Sequence, residues 1–547
     1  MINKERKEEM KMKRLIKAST LLIAAALFAA CANEDITQQD KENEALKGSV
    51  IFTTNGPKIS AKRLSIDGEE EFVGAKTRTT ITHTPGQGAD VYWTNDDFIW
   101  VLNRNNQWKK SRDIILHDGG ASAEFRLRGS ASDYKDGCVV VYSKWGTALS
   151  TSIPAYQPQT TPNNFNSAGD WGDCGMGVAR NTGNAAKFNF TLKHLPSYLC
   201  FLPRCQNATL GQNIILTNIS FTTDNPSGLA DNRQFSGEHI DNGPSSYTSQ
   251  VSQTITLSVS NFRLSNTSDN PTLNACYAVI IPGTHNLTVN YTIRDASTNI
   301  ETTVSQKISG NFKEGEINDI RMLIDRDLKS ISNDIKYYMW DAQVGYDYWW
   351  GTTEGSMNYP QLPSDPRYFH QNPGNVPGPI TATRACRDCP NVNEMYWYIM
   401  RGDPHWTDNA IYVENGHLQK RAGIWLKKKA AILRDNTDVS IWRFTNSSLD
   451  RNGVERDWRT EDYRNYMYPI ANVSSNPIPN TEDYFFLPAL GFSYGNTFAS
   501  QKGSEGHYWT SSGFSDDGAY HLDFNSSSVQ VAKLYSRRTG QVIQKFE

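Results

Sequence analysis

The sequence predicts a mainly β protein: β-sandwich architecture followed by an α+β domain. Three observations predict it. From Gly48 to about Leu323, short apolar runs alternate with clusters of Gly, Pro, Asn and Asp, the pattern of strands joined by turns. No long amphipathic helix interrupts that stretch. The aromatic load is high, with 14 Trp, 25 Tyr and 22 Phe in 547 residues, and such side chains suit pleated, half-buried surfaces.

The elements follow in order. Lys4 to Lys17 is rich in Lys and Arg, and Ala18 to Ala30 is apolar or small, too short to span a bilayer. It ends in Leu27-Phe28-Ala29-Ala30-Cys31. Small residues before a cysteine suit a lipoprotein signal peptidase, so residues 1–30 read as a lipoprotein signal peptide and Cys31 as the lipidation site. The competing reading is a plain signal peptide with a chance cysteine. Thioether-linked diacylglycerol and an N-acyl chain such as palmitate bury enough CH₂ groups for stable anchoring. Residues 31–47 are polar and without apolar period, a flexible tether.

Ser49 to Thr53 is a first strand. Phe98 to Leu102, Cys138 to Tyr142, Leu199 to Leu202, Ile214 to Phe221, Thr254 to Val259, Tyr277 to Ile281 and Leu287 to Ile293 continue the series. Phe188-Asn189-Phe190-Thr191-Leu192 alternates strictly, as a half-buried strand does. The polar run Asp325 to Ser330 reads as a linker. Beyond it one helix stands out: Val392, Met395, Tyr396, Ile399 and Met400 share a face, Asn391 is placed to cap it, Glu394 completes a capping box and Gly402 ends it. The rest is short strands, at Gly423 to Leu426, Tyr484 to Leu487, His507 to Thr510, Ala519 to Phe524, Val529 to Val531 and Val542-Ile543.

Lys+Arg 55 against Asp+Glu 58 gives a formal charge of -3, so no global basic field points to nucleic acid. Seven cysteines follow Cys31, an odd and unevenly spread set that makes no disulfide framework, though one or two bridges have room to form.

Several segments carry a family likeness in their order: the lipobox, Val50-Ile51-Phe52, Thr77-Arg78-Thr79, Trp93-Thr94-Asn95-Asp96-Asp97-Phe98-Ile99, Phe188 to Leu202, Tyr277 to Pro282, and Phe312-Lys313-Glu314-Gly315. Together they resemble a Bacteroides-type fimbrillin, a fimbrial subunit-like lipoprotein. The end of the chain carries Arg384 to Asn391, Gly423 to Lys429, Tyr484 to Gly491 and Gly506 to Ser512. These resemble the Fibrobacter succinogenes major paralogous domain, a C-type-lectin-like module. The two resemblances imply fimbrillin-like sandwiches over 48–180 and 181–328 and a lectin-like domain over 331–547.

The fimbrillin likeness also implies a function. Such lipoproteins reach the cell outer membrane surface, and a protease cuts after an Arg or Lys behind the first strand. A strand from another subunit then fills the vacated groove by donor-strand exchange. Here Arg63 and Arg78, both in loop-like sequence, are the candidate cleavage sites; their bland reading is surface arginine. The partners implied are other fimbrial subunits, the outer membrane through the lipid anchor before processing, and a host or bacterial glycan or protein ligand. A folded domain after the sandwiches obstructs donation onward, which suits a tip adhesin in the fimbrium. The alternative is a surface glycan-binding lipoprotein that never polymerises.

Other motifs weigh less. Tyr508, Trp509, Tyr520 and His521 are the candidate ligand-binding residues, as an aromatic platform for glycan, with burial in the core as the competing reading. Cys386-x-x-Cys389 lacks the further ligands that zinc needs, so no metal site is expected. Arg401-Gly402-Asp403 reads as a helix end, Lys427-Lys428-Lys429 as a solvated face, and Gly491-Phe492-Ser493-Tyr494-Gly495 as a glycine-rich loop, since no helix pattern follows it. Trp93-Thr94-Asn95-Asp96 lacks a partner motif for calcium-dependent sugar binding. No enzyme, catalytic residue or cofactor is expected.

Overall fold

A computed structural model gives the fold. It describes residues 49–547 apart from 56–59, 65–71, 74–79, 185, 242–250, 329–335, 353–354, 361, 363, 368–378, 462–468 and 515–517. The leader, Cys31, the tether and Arg78 lie outside the described residues. The chain is mainly β with a few short helices, as its sequence predicts. It divides into two compact units. One comprises Met1–Gln206, Ile215–Ile293 and Thr303–Ile324; the other comprises Asn207–Ile214, Arg294–Thr302 and Asp325–Glu547.

The first unit opens with a nine-stranded arrangement. Its strands run in the order Trp108–Lys110, Trp100–Leu102, Cys138–Ser143, Cys174–Asn181, Lys187–Phe190, Ser49–Asn55, Ser122–Arg128 and Asp113–His117, with Leu192–His194 paired to Cys174–Asn181 off that path. The strand Cys174–Asn181 joins two faces. Gly175 to Gly177 pair with Leu192–His194, while Arg180 and Asn181 pair with Asn189 and Phe188 of Lys187–Phe190. A Cβ on Gly177 would lie 2.0 Å from the Thr191 carbonyl oxygen, so this crossing needs glycine. The two faces enclose one core that includes Val101, Phe125, Leu127, Val140 and Phe188. Ser122–Arg128 shows the period behind it: Ala123, Phe125 and Leu127 are buried, and the residues between them are more open.

Further strands of this unit form a five-stranded sheet in the order Cys276–Ile280, Ser197–Arg204, Glu316–Leu323, Ser60–Leu64 and Phe72–Val73. A four-stranded sheet faces it, in the order Thr254–Arg263, Ile214–Thr223, Gly283–Asp295 and Glu301–Phe312. Phe201 on the first sheet lies 5.3 Å from Phe221 and 6.2 Å from Tyr291 on the second. The hairpin of Thr80–Thr84 and Gly88–Tyr92 is tied to Glu316–Leu323 through one carboxylate. His83 Nε2 is 2.6 Å from Asp319 Oδ1, and the Gly86 N–H donates to Asp319 Oδ2 at 2.6 Å.

The second unit is α+β. Its seven-stranded sheet runs Tyr337–Tyr338, Gln541–Val542, Glu505–Phe514, Gly518–Asn525, Ser528–Ser536 and Ile470–Asn472, with Pro379–Thr381 paired to Glu505–Phe514. A three-stranded sheet of His405–Glu414, His417–Lys427 and Tyr484–Pro488 accompanies it. The helix Val392–Arg401 forms where its sequence places it. The Asn391 side chain accepts from the Asn393 and Glu394 N–H groups, and Glu394 accepts from the Asn391 N–H at 3.0 Å. Its buried face, with Met395, Tyr396 and Ile399, joins Ile424, Leu487, Tyr508 and Leu522 in one core. All seven cysteines after Cys31 are buried, and no disulfide joins any of them among the described residues.

Candidate functional site

The site is the place held by the opening strand, Ser49–Asn55. Val50, Phe52 and Thr54 share the inward face and are at most 1% exposed, and Ile51 on the other face is 6% exposed. It lies inside its sheet rather than at the edge. On one side it runs antiparallel to Ser122–Arg128, from Ser49 opposite Arg128 to Asn55 opposite Ser122. On the other it runs parallel to Lys187–Phe190, from Ile51 opposite Lys187 to Thr54 opposite Phe190. The Ile51 N–H donates to the Ala186 carbonyl at 2.9 Å.

Phe52 is the anchor. Its ring stacks on Phe188 with centroids 4.9 Å apart and meets Tyr134 edge-on at 5.4 Å. Burial pushes the Tyr134 hydroxyl up to about 12 and the Cys138 thiol up to about 11, so both stay protonated at neutral pH. The Tyr134 hydroxyl donates to the Arg128 carbonyl at 3.2 Å, and the Tyr142 hydroxyl donates to Asp97 at 3.0 Å. Burying Val50 and Phe52 is worth about 1.5–3 kcal/mol each. Withdrawing this strand would expose that apolar surface and unpair two rows of backbone groups, which only another strand can satisfy together.

The lining strand Ser122–Arg128 was not among the strands expected, although the alternation of Ala123, Phe125 and Leu127 signals it. Tyr134 carries no such signal; it follows a short 3₁₀ turn, Ala131–Asp133, and reaches the site through the fold. Trp93 stacks edge-on against Phe125 at 4.9 Å and belongs to the same core, so the Trp93-Thr94-Asn95-Asp96 string packs and turns the chain here. The Thr94 N–H donates to Asp97 Oδ2 at 2.7 Å, closing that turn.

Arg63 falls not in a loop but within the strand Ser60–Leu64, paired in parallel with Glu316–Leu323 and placed opposite Asp319. A protease needs unpaired, extended backbone, so a cut at Arg63 requires this strand to leave its sheet first.

The expected aromatic platform does not exist on the surface. Tyr508, Trp509, Tyr520 and His521 are all at most 1% exposed. Their sheet is covered on both faces, so neighbouring residues enter different cores: Tyr508 and Tyr520 join the main one, and Trp509 packs with Trp340, Cys386 and Cys389. Lys427, Lys428 and Lys429 pair with Asp435, Glu547 and Glu394. Gly402 ends the helix, while Asp403 accepts from the Tyr484 hydroxyl at 2.6 Å. Ser493 is buried in the strand Phe492–Tyr494, which pairs with Thr497–Ser500 and leads into no helix.

No family model matches this chain, and no curated protein matches it. Among solved structures, a candidate cell adhesion protein from Bacteroides ovatus aligns at 13% identity over 50% of this chain and 92% of its own, with a TM-score of 0.26. A fimbrial protein from the same species aligns at 9% identity over 89% and 98%, with a TM-score of 0.21. The fimbrial anchor protein Mfa2 from Porphyromonas gingivalis aligns at 9% identity over 45% and 82%, with a TM-score of 0.18. Likenesses at these scores decide neither fold nor function, and the site is read on its own geometry.

Proposed function

We propose that this chain is a non-catalytic, surface-exported fimbrial subunit that accepts a donor strand after its opening strand is removed. One observation carries the reading: Ser49–Asn55 is an interior strand, hydrogen-bonded on both sides, with Val50 and Phe52 in the core. An edge strand covering nothing apolar would leave no acceptor. In this reading Cys31 carries the lipid anchor to the outer membrane before processing, and Arg63 or Arg78 is the processing site. The sandwiches over 48–180 and 181–328 form the pilus part, and the lectin-like domain over 331–547 sits at the tip as the adhesive part. The segment leading to Glu547 packs into the core of the second unit. Val542 and Phe546 are buried there, and the Glu547 carbonyl accepts from the Lys429 N–H at 2.9 Å.

The test is the N-terminal sequence of the surface form. A start just after Arg63 or Arg78, with a second chain captured in the vacated place, is the expected result. An intact, lipidated Cys31 as the sole form counts against it. That outcome belongs to the second reading, a surface lipoprotein that keeps its opening strand, which the pairing of Ser60–Leu64 with Glu316–Leu323 favours. A glycan and host-protein array tests the adhesive part.

A further inference from the structure

We propose that Glu505, His507 and Asp523 bind a divalent transition-metal ion, with Zn²⁺ the best fit. The three lie in the second unit on the adjacent strands Glu505–Phe514 and Gly518–Asn525. His507 stands directly opposite Asp523 in the register. Glu505, two residues before His507, projects from the same face. His507 Nε2 shares a hydrogen bond with Glu505 Oε2 at 3.1 Å and lies 3.9 Å from Asp523 Oδ1. One ligand atom from each residue lies within 4.8 Å of the other two. An ion about 2.0–2.1 Å from each ligand holds neighbouring ligand atoms about 3.0–3.4 Å apart, so a small rotation of Asp523 completes the arrangement.

The first unit holds a contrasting cluster in His83, Cys200 and Asp319. There the His83 and Asp319 atoms are 2.6 Å apart, the spacing of a shared proton and too close for two ligands of one ion. The Gly86 N–H takes the other Asp319 oxygen.

Around Glu505, His507 and Asp523 the supporting contacts hold the facing atoms toward one another, and an ion would replace the hydrogen bond between His507 Nε2 and Glu505 Oε2. The Gln530 amide donates to Asp523 Oδ2 at 3.2 Å, which turns Oδ1 toward His507. The Phe492 ring sits edge-on to the His507 imidazole at 4.6 Å and sets its plane. His507 is buried while both carboxylates are half-exposed, so the site is rigid at its base and open to an entering ion. An imidazole favours zinc over calcium or magnesium, and two carboxylates balance its charge. Three protein ligands leave a further position for water or for an oxygen of an outside molecule.

The test is calorimetric titration of the full chain with ZnCl₂. Tight uptake is expected in the unaltered chain, with one equivalent lost in His507→Ala and bound about tenfold or more weakly in Glu505→Gln and Asp523→Asn. His83→Ala should leave that equivalent in place. Co²⁺ should give a visible absorption band that weakens in the same variants. Glu505→Gln alters a half-exposed side chain, so it decides the matter if His507→Ala fails to fold. No zinc uptake by the unaltered chain, or unaltered uptake in Glu505→Gln and Asp523→Asn, overturns the proposal. Preference for Ca²⁺ over Zn²⁺ overturns the choice of ion class.

Discussion

The opening strand Ser49–Asn55 and the strand Glu505–Phe514 are equally interior, yet they differ in how they could leave. Each pairs on both sides, and each places an aromatic side chain in a core: Phe52 in one, Trp509 in the other. Glu505–Phe514 is held locally, since Gly518–Asn525 follows it as a hairpin and Ser528–Ser536 follows that. The partners of the opening strand are far along the chain, at Ser122–Arg128 and Lys187–Phe190. One cut behind it therefore separates it covalently from every partner it has. Burial makes a strand worth replacing; topology makes it replaceable.

The largest effect tests this difference directly. Phe52→Ala should destabilise the intact first unit by about 3–5 kcal/mol, and Trp509→Ala should destabilise the second by a similar amount. Urea unfolding followed separately for the two units would read both. After proteolytic removal of the opening strand, the Phe52→Ala penalty should vanish and the Trp509→Ala penalty should persist. A Phe52→Ala cost well below about 3 kcal/mol in the intact unit would mean that the opening strand is not what the core depends on.

The same contrast explains what could be read from the sequence. The helix Val392–Arg401 was legible because its signals are local: an apolar stripe, Asn391 before it and Glu394 within its first turn. Lys187–Phe190 was legible from its alternation. Ser60–Leu64 was not, because Ser-Ala-Lys-Arg-Leu has little intrinsic strand preference and becomes a strand only beside Glu316–Leu323. The side chains at 508, 509, 520 and 521 misled for a related reason. A run of aromatics looks the same whether a sheet is bare or covered on both faces. His507 and Asp523 meet only through a cross-strand register that no local pattern encodes.

A second prediction sharpens the topological point. A cut after Arg63 severs the opening strand together with Ser60 to Arg63, all but the last residue of Ser60–Leu64, whereas a cut after Arg78 also releases Phe72–Val73, the strand at the far edge of the five-stranded sheet. Hydrogen exchange should then show protection lost at both Ser122–Arg128 and Glu316–Leu323 after either cut, because each severs the pairing residues Ser60 to Arg63. Protection kept at Glu316–Leu323 after both cuts would mean that the severed Ser60 to Arg63 stays in its sheet without a covalent tie.

A smaller effect is expected in the second unit. Asn391→Ala removes the side chain that accepts from two N–H groups at the start of Val392–Arg401. It should cost about 1 kcal/mol, read as a lower urea midpoint for the second unit with that of the first unchanged. A shift in both units would break the comparison, because it would mean that they unfold together.

The smallest effect is one of pH, and it falls on the first unit. His285 is buried, and burial holds its imidazole below the ordinary histidine range. Nδ1 is 3.0 Å from the Thr223 hydroxyl and Nε2 is 3.2 Å from the Ile281 carbonyl, while Asp224 opposes the shift without cancelling it. The folded unit therefore resists a proton that the unfolded chain accepts. Its contribution is complete above the unfolded value, about 6.5, and declines as the pH falls from there toward the folded value. Stability of the first unit should fall over that interval, and His285→Gln should flatten the slope there without altering the slope of the second unit. A slope that His285→Gln leaves unchanged assigns the acid sensitivity to other groups and removes His285 as a distinction between the units.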